Sequence, residues 1–288
     1  MENILEVINL RKNFNKFALK DISFTLPKGY IMGFIGPNGA GKSTTIKLIM
    51  NLLKKDGGQI KVFGKDHIQH EKEIKQHIGF VYDESHFYDE LTLDETKKFI
   101  APFYKSWDDH VFHKYIKIFQ LPLDKKIKEL SKGMKMKFSL ALALSHDAKL
   151  LIMDEPTSGL DPIVRSELLD ILYEIIQDEE KSVFFSTHIT SDLEKVADYI
   201  TFIHEGEIVL SMAKDDILDN YCIVKGGIDL LDTYNQKAFV GIRKTQYNFQ
   251  GLIDCREKVQ NLFKGNVIIE KPSLEDIMLY IVRGRQYA

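Results

Sequence analysis

Cysteine, tryptophan and long apolar stretches are all scarce in this chain of 288 residues. Its 2 cysteines, Cys222 and Cys255, supply neither a disulfide framework nor a metal-ligand spacing, so they read as reduced thiols of a cytoplasmic protein. No apolar run approaches the roughly 20 residues that a membrane-spanning helix needs, which excludes a permease built from this chain alone. The opening residues lack the basic and apolar regions of a signal peptide. A dominant charge is missing too: 39 Lys and Arg face 42 Asp and Glu, for a formal net charge of −3. Nothing in that balance calls for nucleic acid as a partner. Internal repeats and low-complexity segments are also absent.

What is present is a hydrophobic content of 44%, ordinary for a globular chain, and enough length for one large domain or two modest ones. Residues 4–35 read as strands with turns, including the stop Pro27-Lys28-Gly29. A helix is expected to about Leu53, then a turn over 54–58, a short strand over 59–63 and a strand at Ile78–Val81. From about Thr92 to Leu121 the pattern turns helical and aromatic, and a second helix starts just past Ser131. Leu150–Met153 is a continuous apolar run, as a buried parallel strand requires. A helix over 163–177, a strand over 183–185 and strands near 199–203 and 207–211 follow. Strands alternating with helices predict an α/β core. The helical block, about 84–147, reads as a subdomain inserted into the domain 1–211. Residues 212–288 read as a small α+β C-terminal appendix with no catalytic motif.

The chemistry begins at Gly36-Pro37-Asn38-Gly39-Ala40-Gly41-Lys42-Ser43, a full match to the phosphate loop G-x-x-x-x-G-K-[ST]. It follows the apolar run 30–35 and precedes Thr44 and a helical pattern, the context the motif needs. Gly36, Gly39 and Gly41 let backbone N–H groups turn toward phosphate oxygens, and the helix start adds its positive end. Lys42 is then placed for the β and γ phosphates of ATP, and the Ser43 hydroxyl for Mg²⁺. Leu150–Met153 ends in Asp154 and Glu155. At the end of a parallel strand, Asp154 suits Mg²⁺, and Glu155 suits the base that activates the attacking water. Leu130-Ser131-Lys132-Gly133-Met134, by pattern alone, is a serine N-cap at a helix start.

Taken in order, Gly36–Ser43, Leu130–Met134, Leu150–Glu155, Ser158–Asp161 and His188 resemble an ATP-binding cassette (ABC) ATPase over roughly residues 4–211. The tail resembles, more loosely, the extension of bacterial cassettes that serve ABC-2-type exporters. The resemblance implies a P-loop NTPase core with an antiparallel β subdomain and an inserted helical subdomain. It implies that Leu130–Met134 is the signature motif, with Ser131 and Gly133 binding the γ phosphate held by a second ABC ATPase chain, identical or paralogous. It makes Ser158–Asp161 the D-loop, with Asp161 at the nucleotide, and His188 the switch histidine that contacts the γ phosphate and holds Glu155. Phe14 falls where the family stacks an aromatic ring on adenine, although an ordinary core role also fits it. The implied partner is an integral membrane permease. The implied location is peripheral, on the cytoplasmic face of the membrane, and the implied task is export of a peptide, antibiotic or other amphipathic molecule.

Two departures from the family pattern stand out. Lys132 and Met134 replace the glycine and glutamine usual in the signature. Asp83, followed by Glu84, stands where the family has a metal-contacting glutamine. A carboxylate can bind Mg²⁺ but cannot donate a hydrogen bond as an amide does. Two histidine groups, His67, His70 and His77 and then His110 and His113, read as solvated surface rather than metal sites. The aromatic block Phe87, Tyr88, Phe99, Phe103, Tyr104 and Trp107 fits a subdomain core, part of which forms a groove for a membrane partner's helix. The rival reading is a soluble cassette ATPase acting on ribosomes or nucleic acid. A single cassette and closely spaced motifs argue against it, and intact Glu155 and His188 argue against a cassette that only binds ATP.

Overall fold

The computed structural model describes residues 2–83, 86–263 and 266–286. Two compact units divide the chain, Met1–Ser211 and Met212–Ala288. In the first, chain order begins with strands β1 (Asn3–Asn13), β2 (Ala18–Pro27) and β3 (Ile31–Ile35), then helix α1 (Lys42–Ile49). Next come β4 (Gly57–Val62), β5 (Lys65–Asp66), α2 (Glu71–Lys75) and β6 (Ile78–Val81). Helices α3 (Leu93–Ile100), α4 (Asp109–Ile118) and α5 (Lys132–Leu144) form a helical block. Then β7 (Leu150–Asp154), α6 (Pro162–Ile175), β8 (Ser182–Thr187), α7 (Thr190–Val196), β9 (Tyr199–His204) and β10 (Glu207–Ala213) complete the unit.

Two sheets follow from two kinds of strand. β1 and β2 alternate buried and exposed residues and pair antiparallel, giving the sheet order β2-β1-β4-β5. β3, β7 and β8 are buried along their whole length, as expected of strands covered on both faces. They lie in a sheet of order β10-β9-β3-β8-β7-β6, with β9-β3-β8-β7-β6 running parallel. Phe24 of β2, Phe34 of β3 and Phe184 of β8 meet with centroids 5.4–5.6 Å apart. They seat the two sheets on one hydrophobic core.

Two glycines let helices approach the parallel sheet. A Cβ on Gly33 would lie 2.3 Å from a Leu193 methyl of α7. One on Gly79 would lie 3.0 Å from the Ala143 Cβ of α5. The second contact seats the signature helix against β6. Caps fix where helices begin: Thr92 and Glu95 form a capping box on α3, and the Asp108 side chain accepts from His110 N–H and Val111 N–H at the start of α4.

The expected helix over 92–121 is broken in two. Pro102 sits in a 3₁₀ turn, Ala101–Phe103, after which the chain extends to Asp108 and restarts as α4. Inside the polar stretch 65–76 the short helix α2 appears; only Ile74 of it is buried, too little for apolar periodicity to reveal. His67 corrects the surface expectation. It is buried, with Nδ1 3.2 Å from the Ile60 carbonyl, and burial pushes its imidazole below the ordinary histidine range. Among the described residues no group of three or more His, Cys, Asp or Glu could hold a metal on its own.

The second unit starts with α8 (Lys214–Asn220) and β11 (Cys222–Gly227), then β12 (Phe239–Lys244) and β13 (Asn248–Ile253). It ends with α9 (Arg256–Phe263), β14 (Ile268–Glu270) and α10 (Leu274–Gln286). Its antiparallel sheet has the order β12-β13-β11-β14, and Phe249, Val259 and Phe263 anchor a separate small core. Among the described residues no helix is long and apolar enough to cross a membrane.

Phe184 has no exposed surface and touches both partner rings. Phe184→Ala is therefore expected to cost about 3–5 kcal/mol, read as a lower denaturation midpoint of the whole chain. A loss below about 1 kcal/mol would show that this aromatic cluster does not anchor the two sheets.

Candidate active site

The register of the parallel sheet assembles the site. Phe34 and Ile35 of β3 lie opposite Ser186 and Thr187 of β8, and Ser186 lies opposite Asp154 of β7. The phosphate loop, the two carboxylates and His188 therefore all leave the same edge of the sheet, at the carboxyl ends of neighbouring strands. Gly39 and Gly41 hold φ of +81° and +114°, a region that disfavours side chains. A Cβ on Gly41 would also strike Leu19 at 2.6 Å, and one on Gly36 the Ile203 carbonyl oxygen at 2.3 Å.

Lys42 is buried at the first turn of α1. Its ammonium donates to the Gly36 carbonyl at 2.7 Å and meets Glu155 Oε1 at 3.0 Å. The other Glu155 oxygen, Oε2, accepts from His188 Nδ1 at 2.8 Å and from the His188 N–H at 3.3 Å. A carboxylate only accepts, so Nδ1 carries a proton in this contact. Glu155 itself sits at φ +48°, a left-handed conformation uncommon for a non-glycine residue and the kind of strain that collects at functional sites.

Ser43 Oγ donates to Asp154 Oδ1 at 3.1 Å, which joins the loop to β7. Ser186 Oγ donates to the same oxygen at 2.6 Å while accepting from the Glu155 N–H at 3.1 Å. One hydroxyl thus holds the Asp154 carboxylate and the backbone of Glu155. Sequence reasoning passed over Ser186, although a serine and threonine closing the apolar strand Val183–Phe185 were the available signal. Ser43 and Asp154 are hard oxygen donors close together. They suit Mg²⁺, which takes one or two carboxylates and completes its shell with phosphate and water oxygens.

A cavity of about 680 Å³ lies over the loop, lined by Asn38, Gly39, Gly41, Lys42, Ser43 and Thr44. Asp83, Glu155, Ser158 and His188 close its other sides. Pro37 and Ala40 belong to the loop but not to the cavity wall. The aromatic ring on that wall is Phe17, with Lys16 beside it. Phe14, the expected adenine platform, stands off the wall. It is exposed, with its ring centroid 6.3 Å from that of Phe17 and Lys12 over it. The intervening turn, with Phe14 N–H bonded to the Phe17 carbonyl, turns Phe17 rather than Phe14 toward the loop.

Ser131, Gly133 and Asp161 lie outside this cavity. Ser131 caps α5, accepting from Met134 N–H at 3.2 Å. Gly133 packs on Val164 of α6, where a Cβ would come within 3.0 Å. Asp161 spends its carboxylate on capping α6, accepting from Ile163 N–H and Val164 N–H at 3.1 Å each. Asp83 reaches the cavity, but its carboxylate pairs with Lys132; Glu84 lies outside the described residues. A further link escaped sequence reasoning. Arg165 of α6 donates to buried Asp192 of α7 at 2.6 Å and to Ser191, tying together the helices that follow the D-loop and His188.

A phosphate loop, a strand-end Asp-Glu pair and the hydroxyls that join them define a P-loop nucleoside triphosphatase. The ABC transporter family profile matches residues 19–158. The chain is 34% identical over 222 residues to the bacitracin transport ATP-binding protein BcrA of Bacillus licheniformis, covering 75% of this chain and 72% of that one. It is 35% identical over 214 residues to the lantibiotic transport ATP-binding protein SrtF of Streptococcus pyogenes, covering 74% and 92% respectively. A solved structure of an ATP binding subunit of an ABC transporter matches with a TM-score of 0.66 at 29% identity, over 75% of this chain and 92% of that one. The chain belongs to the ABC transporter family, and within it to the ATP-binding subunits: it is an ATPase.

Ser186→Ala removes a short bond to an ionised group, worth about 1.5–3 kcal/mol. If that bond holds Asp154 for the reaction, phosphate release should fall roughly tenfold or more while ATP affinity changes little. An unchanged rate would make Ser186 a structural residue only.

Proposed function

We propose that two copies of this ATPase, or one copy and a paralogue, close on two ATP molecules and drive export through a separate membrane permease. The observation that carries the reading is the split of the motifs. The phosphate loop, Glu155 and His188 share one cavity, while exposed Ser131 and neighbouring Gly133 lie outside it at the start of α5. Such a helix start suits a phosphate presented by a facing chain. Asp161, as the cap of α6, is then a residue that shapes the D-loop, and the Arg165–Asp192 link carries movement there toward His188.

In the reaction, the loop N–H groups and Lys42 bind the β and γ phosphates. Lys42 leaves Glu155 Oε1 to do so, which frees that oxygen for water. Bound Mg²⁺, held by Ser43 and Asp154, would neutralise phosphate charge. Glu155 takes a proton from water as the water oxygen bonds to the γ phosphorus and the bond from that phosphorus to the ADP oxygen breaks. His188, with Nδ1–H on Glu155, holds that carboxylate in line; its other nitrogen contacts the γ phosphate only when it too carries a proton, because phosphate oxygens only accept. Phe17, extended outward by Phe14, supplies the aromatic face for adenine.

The transport names of the relatives support a peptide antibiotic as the exported molecule, and they disfavour ribosome or nucleic-acid work. The helical block offers a docking surface for the permease. Tyr88, Phe99 and Phe103 are exposed and meet edge to face, beside a cavity of about 390 Å³ lined by Phe80, Phe87 and Tyr104. The chain then works at the cytoplasmic face of the membrane.

Glu155→Gln keeps the side-chain shape and removes the base. It should lower ATP hydrolysis roughly 100-fold or more, leave ATP binding intact and trap an ATP-dependent dimer visible by size-exclusion chromatography. Turnover at the parent rate would remove Glu155 from the role of base.

A further inference from the structure

Two of the positions where this chain departs from the family's motifs, Asp83 and Lys132, carry opposite charges, and the fold brings them together. Lys132 Nζ donates to Asp83 Oδ1 at 3.0 Å. Asp83 stands between two cavities. One is the phosphate cavity; the other, of about 330 Å³, is lined by Leu130, Lys132, Lys135 and Met136 at the start of α5. Lys132 also reaches the D-loop, where a Cβ on Gly159 would lie 3.4 Å from its ammonium nitrogen. One ammonium group of the signature therefore binds the segment after β6 and lies beside the D-loop.

Helix stability does not account for this lysine. Lys132 is the first residue of α5, at the positive end of the helix, and the first turn carries no acidic residue. A cation there is unfavourable unless an anion meets it. Asp83 is one such anion, but the pair is open to solvent, with side chains 44% and 41% exposed, so the bond is easily exchanged. The Lys42–Glu155 pair, at 6% and 12%, is the buried contrast. A terminal phosphate carries more negative charge than one carboxylate and outcompetes it at a helix start.

We propose that Lys132 is an additional ligand for the γ phosphate bound by the facing chain, held in reserve by Asp83 until the two chains close. The inference rests on the sandwich-dimer reading. Opening returns Lys132 to Asp83, so each chain neutralises its own signature cation when no nucleotide faces it.

The test is the ATP-dependent dimer dissociation constant, measured by sedimentation in the Glu155→Gln background. Lys132→Gly, which restores the usual family residue, should weaken the dimer roughly tenfold, about 1.4 kcal/mol. Lys132→Met keeps the stem and the helix propensity and should weaken it equally. Asp83→Asn should strengthen the dimer several-fold by releasing Lys132, and this gain should vanish in the Lys132→Met background. A merely structural ion pair would make both single variants shift the constant in the same direction. That result, or a constant indifferent to Lys132, overturns the proposal. No dimer in Glu155→Gln alone would overturn the sandwich reading itself, and this inference with it.

Discussion

The parallel pairing of β3 with β8 and of β8 with β7 sets every distance at the site. Because Ile35 aligns with Thr187 and Ser186 with Asp154, the phosphate loop, the carboxylates and His188 emerge side by side. Backbone hydrogen bonds between buried strands fix that register. Packing reinforces it: Phe24, Phe34 and Phe184 hold the antiparallel sheet beneath, while Gly33 and Gly79 admit α7 and α5 from the helical layers. A slip of one residue would turn each of these side chains to the opposite face and scatter the site.

On that frame the site is wired as charges that change partners. Lys42 bridges Gly36 and Glu155, and Glu155 bridges Lys42 and His188. Ser186 holds Asp154 and Glu155 at fixed spacing. In the proposed reaction a nucleotide that takes Lys42 also releases half of Glu155, so binding would prepare the base. The exposed Asp83–Lys132 pair repeats this logic at the edge of the cavity, where we propose that a second chain enters. Buried pairs keep the geometry, and exposed pairs are free to exchange.

Much of this was legible in the sequence because it is local. The loop Gly36–Ser43, the apolar strand ending in Asp154 and Glu155, and the N-cap serine at 131 each carry their chemistry within a few residues. What the sequence hid depends on chains of contact between distant segments. Phe14 is the aromatic residue the motif pattern offers, and only the turn that follows it brings Phe17 onto the cavity wall. The bond of Asp161 to the start of α6 likewise shows only in the fold. Ser186 has no motif of its own and matters only because β8 lies between β3 and β7. The split of the 92–121 helix was readable at Pro102, but the aromatic periodicity masked it.

The central claim is that each nucleotide site is built by two chains, the phosphate loop from one and the signature from the other. The most direct test mixes two inactive variants, Lys42→Ala, which disables the loop, and Ser131→Arg, which blocks the signature. The account predicts ATP hydrolysis in the mixture that neither variant shows alone, because one mixed site then joins an intact loop to an intact signature. A mixture as inactive as its components would contradict it, placing loop and signature in service of the same chain.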